Sequence, residues 1–469
     1  MSSSSKIVLF ELNEVPWRVI DDHVEAHPES PLARILPRAA RYETIAEDTS
    51  LSPWITWPTL HRGVADEEHT ITDFGQDLGE INAAYPSVWE ILARHGVRTG
   101  VCGSLHSYPL PSNAHDYAFY VPDVFAAGSE CFPRSIEAFQ DFNLSMSRES
   151  ARNVSTSLPV RKALRFVARA PGLGLTPKTA LDVAGQLVDE RLHPFRKVRR
   201  RTYQVVLAFD VFMKELARTR PSFATFFTNH VASSMHRYWA ARYPGDYDVY
   251  EFDGAWAKTY KDEIAWTMGR VDRMLARVLA FVEASPDYEL WIASSMGQAA
   301  TEAHQILTQV YLQDVPRFMR ALGFEGGEWE SRPAMAPRVI LSLREPSASR
   351  FEAALRGITI ADRGPLPWKR LANGVFRIHP GILQNVKDET CTVRGDPVPF
   401  EKLGFANVTI QDSVGQSAYH VPSGSLIRYA PGRAVDRARP QVSTRDVAPS
   451  LLRAFGITPP PHMRGASFA

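Results

Sequence analysis

Short, wholly apolar runs alternate along this chain with longer stretches of helical periodicity. Ile7 to Phe10 is apolar throughout and bounded by polar residues, which predicts a strand buried on both faces. Phe223 to Phe227 and Leu290 to Ala293 read the same way. Pro86 to Gly96 predicts a helix, with proline near its start and glycine at its end, and Thr99 to Gly103 follows as a short strand. From Trp256 to Glu283 the pattern predicts one long amphipathic helix, with Ile264, Met268, Val271, Leu275 and Leu279 on its apolar face. A strand near Phe405 to Ile410 and a helix from Asp446 to Phe455 close the series. Strand, helix, strand recurring in this way predicts an α/β fold: a large, mostly parallel sheet sandwiched by helices.

Two stretches break the pattern. Residues 140–215 carry Arg161, Lys162, Arg165 and Arg169 in a helix-forming context, then Arg196, Lys197, Arg199, Arg200 and Arg201. They read as a helical cap inserted between core strands. Residues 311–399 are rich in proline and glycine and read as a smaller α+β insertion. The core would then comprise 1–139, 216–310 and 400–469. The arginine cluster is first of all what a solvated helix face looks like; the alternative is a face meeting an anionic substrate or making peripheral contact with a membrane surface.

Composition narrows the function classes. A chain of 469 residues accommodates two domains or one large α/β domain with insertions. A net charge of +1 gives no signature of nucleic-acid binding. Cys102, Cys131 and Cys391 are too far apart for a disulfide framework or a zinc ribbon, so free thiols in a reducing compartment are expected. The apolar run after Lys6 meets Glu11 too soon for a signal-peptide core, and no run reaches the length of a transmembrane segment. A cytoplasmic location is the expectation.

The chemistry concentrates in Ser52-Pro53-Trp54-Ile55-Thr56-Trp57-Pro58-Thr59-Leu60-His61-Arg62-Gly63, with His69 and Phe74 downstream. If Pro58 marks the first turn of a helix, Thr56 stands at the helix N-terminus, where unpaired N–H groups and the helix dipole favour an anion. An ordinary N-cap threonine is the competing reading. In open α/β sheets ligands gather beyond the carboxyl ends of strands. Glu11, Asn13 and Glu14 lie there after the first strand, Asn229 and His230 after Phe227, and Ser295 to Gln298 after Ala293.

In order, these pieces resemble the alkaline phosphatase superfamily, most nearly its type I phosphodiesterase and nucleotide pyrophosphatase branch, with sulfatases as cousins. Thr56-Trp57-Pro58-Thr59 is similar to the family's nucleophile turn. Gly63 and His69 resemble the residues that follow it, and His420, Pro422 and Gly424 with Asp446 to Leu452 resemble its closing segment. The resemblance implies an ester hydrolase, phosphodiesterase or transferase acting on small phosphate or sulfate esters, with Thr56 as nucleophile and Thr59 as its rival. It also implies two divalent metals, usually zinc. Yet Asn13, Ala232, Ser295 and Met296 stand where the family has metal ligands, and only His236 and His420 survive. At most one divalent, zinc-like metal is therefore expected, held by those histidines with help from water or from Glu11, Glu14 or His230. Asn13, Asn229, His230, Arg62, Arg237, Ser295 and Gln298 are the expected substrate-binding residues. The alternative is a non-catalytic pseudoenzyme that binds an anionic ligand or a protein partner.

Overall fold

A computed structural model of the chain describes residues 6–73, 76–149, 153, 166, 168–169, 172–332, 334, 337–433 and 438–468. Phe74 and three of the basic residues singled out above, Arg161, Lys162 and Arg165, fall outside them. The chain divides into two compact units. The first comprises residues 1–144, 159–303 and 416–469, and the second 145–158 and 304–415.

The first unit is built on an eight-stranded sheet. Its strands include β1 (Lys6–Leu12), β2 (Ala39–Ile45), β3 (Thr99–Cys102), β4 (Phe119–Val121), β5 (Phe223–Thr228) and β6 (Tyr288–Ala293). The spatial order is Gln441–Ser443, β2, Leu426–Tyr429, β6, β1, β5, β3, β4. β1 runs parallel to β5 and β6, and β3 runs parallel to β4 and β5. Leu426–Tyr429 runs antiparallel to both its neighbours, β2 and β6. The sheet is thus mostly parallel.

The apolar run of β1 follows from its central place. Ile7 and Leu9 face a core shared with Trp57, Trp89, Val101 and Leu451. Phe10, on the other face, stacks on Phe226, which in turn meets Phe209 and Phe212. With both faces covered, no position from Ile7 to Phe10 has a solvent side to favour a polar residue. The expected helices are present at Val88–Arg94 and Val447–Ala454. The long helix expected over Trp256 to Glu283 is two: Gly254–Tyr260, capped by the Asp253 side chain, and Glu263–Glu283.

Helices Pro177–Leu192 and Arg200–Thr219 occupy the part of 140–215 richest in arginine. Arg196, Arg199 and Arg200 make ion pairs with Asp189, Glu263 and Glu190. These charges are spent within the chain. Among the described residues no helix is long and apolar enough to cross a membrane. The three cysteines are free and buried.

The second unit is α+β. It holds two four-stranded antiparallel sheets, the paired strands Thr308–Leu312 and Phe405–Thr409, and helices Val315–Ala321 and Ser347–Arg356. It has its own core, including Phe318, Phe351, Phe376 and Phe405.

Candidate functional site

The segment predicted to start a helix near Thr56 starts it earlier. Ser52 is extended, Pro53 takes the first turn, and the helix runs Pro53–Arg62 until Gly63 ends it at φ 62°. The Thr56 N–H is bonded to the Ser52 carbonyl at 2.9 Å, so it is not a free anion donor. This corrects the placement of Thr56. The proline suited to a helix start is Pro53, and Pro58 lies inside the helix. Pro58 has no N–H for the Trp54 carbonyl four residues back. His106 Nε2 meets that carbonyl instead, at 2.9 Å. Burial, with Arg62, His61 and His69 nearby, pulls the His106 pKa down to about 3.

Thr56 is fully buried, and its Oγ lies 2.8 Å from Ser295 Oγ and 3.2 Å from the Ser52 carbonyl. Thr59 Oγ donates to Asp48 and lies 3.0 Å from His69 Nε2. The Ile71 N–H donates to His69 Nδ1 at 3.0 Å, so in the neutral ring Nε2 carries the proton and donates to Thr59. His69 therefore cannot act as base toward Thr59 in this arrangement. Asp48 can, and burial, with Asp66 adding to it, pushes its carboxyl up to about 6.

One constellation forms at the sheet edge. Glu14 follows β1 and sits at φ 60°, a left-handed conformation uncommon for a non-glycine residue and often found at functional sites. Its Oε2 lies 3.0 Å from His236 Nε2 and 3.4 Å from His420 Nε2. One ligand atom from each residue falls within 4.8 Å of the others. His236 comes from the His230–Arg242 helix, and its Nδ1 meets the Ala418 carbonyl at 2.9 Å. His420 comes from the Ala418–Val421 strand, and its Nδ1 meets the Leu51 carbonyl at 2.8 Å. In that strand His420 pairs with Gln298 of β7 (Gly297–Ala300).

Neighbouring amides fix the carboxylate. Asn13 Nδ2 donates to Glu14 Oε1 at 2.8 Å and to Asn229 Oδ1 at 2.7 Å, while Trp57 Nε1 donates to Asn13 Oδ1 at 2.7 Å. Gln298 Nε2 donates to Glu14 Oε2 and to the Ala232 carbonyl. Burial by itself would raise the Glu14 pKa, but His236 and His420 outweigh it and hold the carboxyl well below its usual range. Burial likewise opposes the charge on His420, and Glu14 reverses this, so the His420 pKa is raised.

With Nδ1 donating to a backbone carbonyl, a neutral imidazole presents its Nε2 lone pair to the Glu14 oxygen. Two lone-pair donors that close require a cation between them, whether a proton or a metal. Two imidazoles and a carboxylate form a donor set used by catalytic zinc, and carbonyl-anchored Nδ1 atoms are the usual support for metal-bound histidines. The residues therefore fit a single divalent ion.

Of the expected site residues, Asn13, Ser295, Gln298, His236 and His420 are linked to Thr56, Trp57 or Glu14 by the contacts above, and Asn229 joins them through Asn13. Glu11 is not a helper ligand: it pairs with His61 Nε2 at 2.7 Å, both fully buried. Arg62 is not an anion donor: it is buried and donates to the Tyr85 carbonyl and to Asn82 Oδ1, and burial pulls its pKa down to about 10. His230 and Arg237 line a separate small cavity that includes none of the three metal-type residues. The sequence assigns no role to Asp48, His61 or His106: His61 and His106 act on Glu11 and Trp54, 50 and 52 residues away, and Asp48 reaches Thr59 across a separation of 11 residues that follows no helical or strand spacing.

No family model matches the chain, and no curated protein matches it. Solved structures that overlay on it include murine ectonucleotide pyrophosphatase/phosphodiesterase 5, at TM-score 0.42 and 10% identity over 98% of this chain and 97% of that one. An inactive form of the same murine protein in complex with AMP overlays at TM-score 0.40 and 9% identity, with the same coverage. The human counterpart overlays at TM-score 0.41 and 10% identity, over 99% of this chain and 97% of that one. Overlays this loose say nothing about the chemistry of the present chain.

Proposed function

We infer that this chain is a hydrolase of small phosphate or sulfate esters with one divalent metal, held by Glu14, His236 and His420. The observation carrying this reading is the convergence of those three ligand atoms, one on each of three elements, at the edge of a mostly parallel sheet. When bound there, a zinc-like ion supplies Lewis acidity and a water of lowered pKa. The protein's own residues do the positioning. Asn13 and Gln298 hold the Glu14 carboxylate in place. Asn229 gives its carbonyl oxygen to Asn13, which leaves its exposed Nδ2 donors for an incoming oxyanion. Thr56 remains the nucleophile suggested by the resemblance, and Thr59 with Asp48 as base remains its rival.

A second reading has its own support. Thr56 is completely enclosed, and its hydroxyl hydrogen-bonds with Ser295 Oγ and the Ser52 carbonyl, neither of which is a base. That suits a non-catalytic protein that keeps the cleft to bind an anion.

Metal content and ester hydrolysis decide between the two. Protein purified without chelator is expected to carry close to one metal per chain by elemental analysis, and to hydrolyse a phosphodiester or sulfate-ester chromogen. Glu14→Gln should lower both. Two tightly bound metals per chain would refute the ligand assignment. No metal, and no hydrolysis across the ester panel, would leave the binding protein.

A further inference from the structure

Helix Pro177–Leu192 reverses the usual arrangement of a surface helix. Its buried residues are polar: Thr179, Gln186 and Glu190. Its outward residues include Leu181, 74% exposed, Val188, 58%, and Leu192, 72%. At 3.6 residues per turn, the spacings from Leu181 to Val188 to Leu192 put all three on one stripe. Ala184 and Gly185, also exposed, fill the stripe between them. A surface helix normally turns such a stripe to the core. This one turns it to the outside.

Charge is sorted on the same helix. Lys178 and Arg191 are exposed, and the helical period sets one on each edge of the stripe. Among the described residues neither has an ion-pair partner. The acids of the helix lie off that face and are paired: Asp182 with Arg270 and Arg273, Asp189 with Arg196, and Glu190 with Arg200. The outward face is therefore apolar along its middle, basic at both edges and free of carboxylates.

We propose that this face is a peripheral docking surface for an anionic lipid bilayer. Area and charge disfavour a second copy of the chain. The stripe runs about 22 Å along the helix and roughly 10 Å across, a few hundred Å², whereas a stable dimer buries about 800 Å² per partner. An antiparallel pairing centred on Ala184 and Gly185 would also set Lys178 of one copy against Arg191 of the other, like charge against like. A bilayer requires no matching shape, and acidic headgroups complement both cations. Their long stems let the charges stay at headgroup level while the stripe enters the acyl boundary. Three aliphatic side chains bring fewer carbons than one myristoyl chain, which alone gives only marginal, reversible binding. The cations must supply the second signal, so binding should require anionic lipid. The contact thus falls on this helix and not on Arg196, Arg199 and Arg200, which are committed to acids of the chain.

The test is co-sedimentation of the full chain with vesicles of phosphatidylcholine alone and of phosphatidylcholine mixed equally with phosphatidylserine. Binding is expected to the mixed vesicles, and to fall as salt rises. Lys178→Gln with Arg191→Gln should weaken it by about thirtyfold, at roughly fivefold per cation. Leu181→Gln with Leu192→Gln should weaken it by at least about tenfold. All four side chains are exposed, and thermal unfolding checks that both double variants fold. No sedimentation with mixed vesicles at low salt would overturn the proposal. So would equal binding to phosphatidylcholine alone, or unchanged binding in both folded variants. A dimer in sedimentation equilibrium that Leu181→Gln with Leu192→Gln dissociates would assign the face to a second copy instead.

Discussion

Asp48 gives a sharp test of the electrostatics around Thr59. Its carboxyl is mostly buried, accepts from Thr59, and is pushed up to about 6. The sign is worked from the two states. In the unfolded chain an aspartate titrates near 4, so between pH 4 and 6 the folded state holds a proton that the unfolded state has released. Stability from this group therefore rises as pH falls through that window, and at neutral pH the charged carboxylate is a net cost. A shift of about two units corresponds to a ceiling of about 3 kcal/mol, and partial solvent access reduces this to about 1–2 kcal/mol. Asp48→Asn keeps an oxygen to accept from Thr59 while removing the charge. It should stabilise the protein at pH 7.5, raising the unfolding midpoint by roughly 2 °C for a chain of this size, and the gain should vanish near pH 4. Calorimetry at the two pH values measures it. Destabilisation at pH 7.5, or a gain that does not change with pH, would show that the buried carboxylate is not a charge under strain. The same variant bears on chemistry. If Asp48 is the base for Thr59, hydrolysis falls while stability rises; if Thr59 is structural, hydrolysis is unchanged.

Other outcomes follow from single contacts. His106→Ala strips the Trp54 carbonyl of its partner and should cost about 1–3 kcal/mol in urea unfolding; adding Pro58→Ala restores a backbone N–H to that carbonyl and should recover part of the loss, whereas strictly additive effects would refute the pairing. Gly297→Ala would place a Cβ 2.1 Å from the Ser423 carbonyl oxygen, so a loss of about 2–4 kcal/mol is expected, together with weaker metal binding through Gln298; a variant as stable as the parent would contradict the close approach. His69 and His230 are held near 4, mainly by burial, against about 6.5 when unfolded. Their contribution to stability is full above pH 6.5 and is lost as pH falls towards 4, so replacing either by an uncharged residue should flatten the acid limb of the stability curve. A steeper limb would refute the assignment.

The core was legible because its signal is local. A strand buried on both faces is mostly apolar, its few polar residues being paired as Glu11 is with His61, and β1, β5 and β6 advertise themselves in four to six residues. The break between Tyr260 and Glu263 was not legible, since the apolar face of the longer helix carries on from Ile264 without a proline or glycine to mark the joint. The same limit misplaced Thr56. Two prolines, Pro53 and Pro58, both fit a helix start, and a proline inside a helix is normally excluded. What admits Pro58 is a histidine 48 residues away that takes over the orphaned carbonyl, and nothing in the local sequence reports it.

The site divides along the same line. His236 and His420 could be singled out in the sequence, but the third ligand could not be chosen among Glu11, Glu14 and His230, because the choice depends on how the backbone turns beyond the strand ends. At Leu12, β1 is still extended and paired with Thr228. Two residues later Glu14 adopts a left-handed φ, which costs of order 1–3 kcal/mol for a side chain of this size. Its contacts identify what offsets that cost: two imidazoles and two amides meet the one carboxylate. Glu11, one turn of the pleat earlier, stays in regular geometry and is absorbed by His61. The strained acid and the relaxed acid differ in environment, not in residue type, so the carboxylate that matters became identifiable only when the backbone was known.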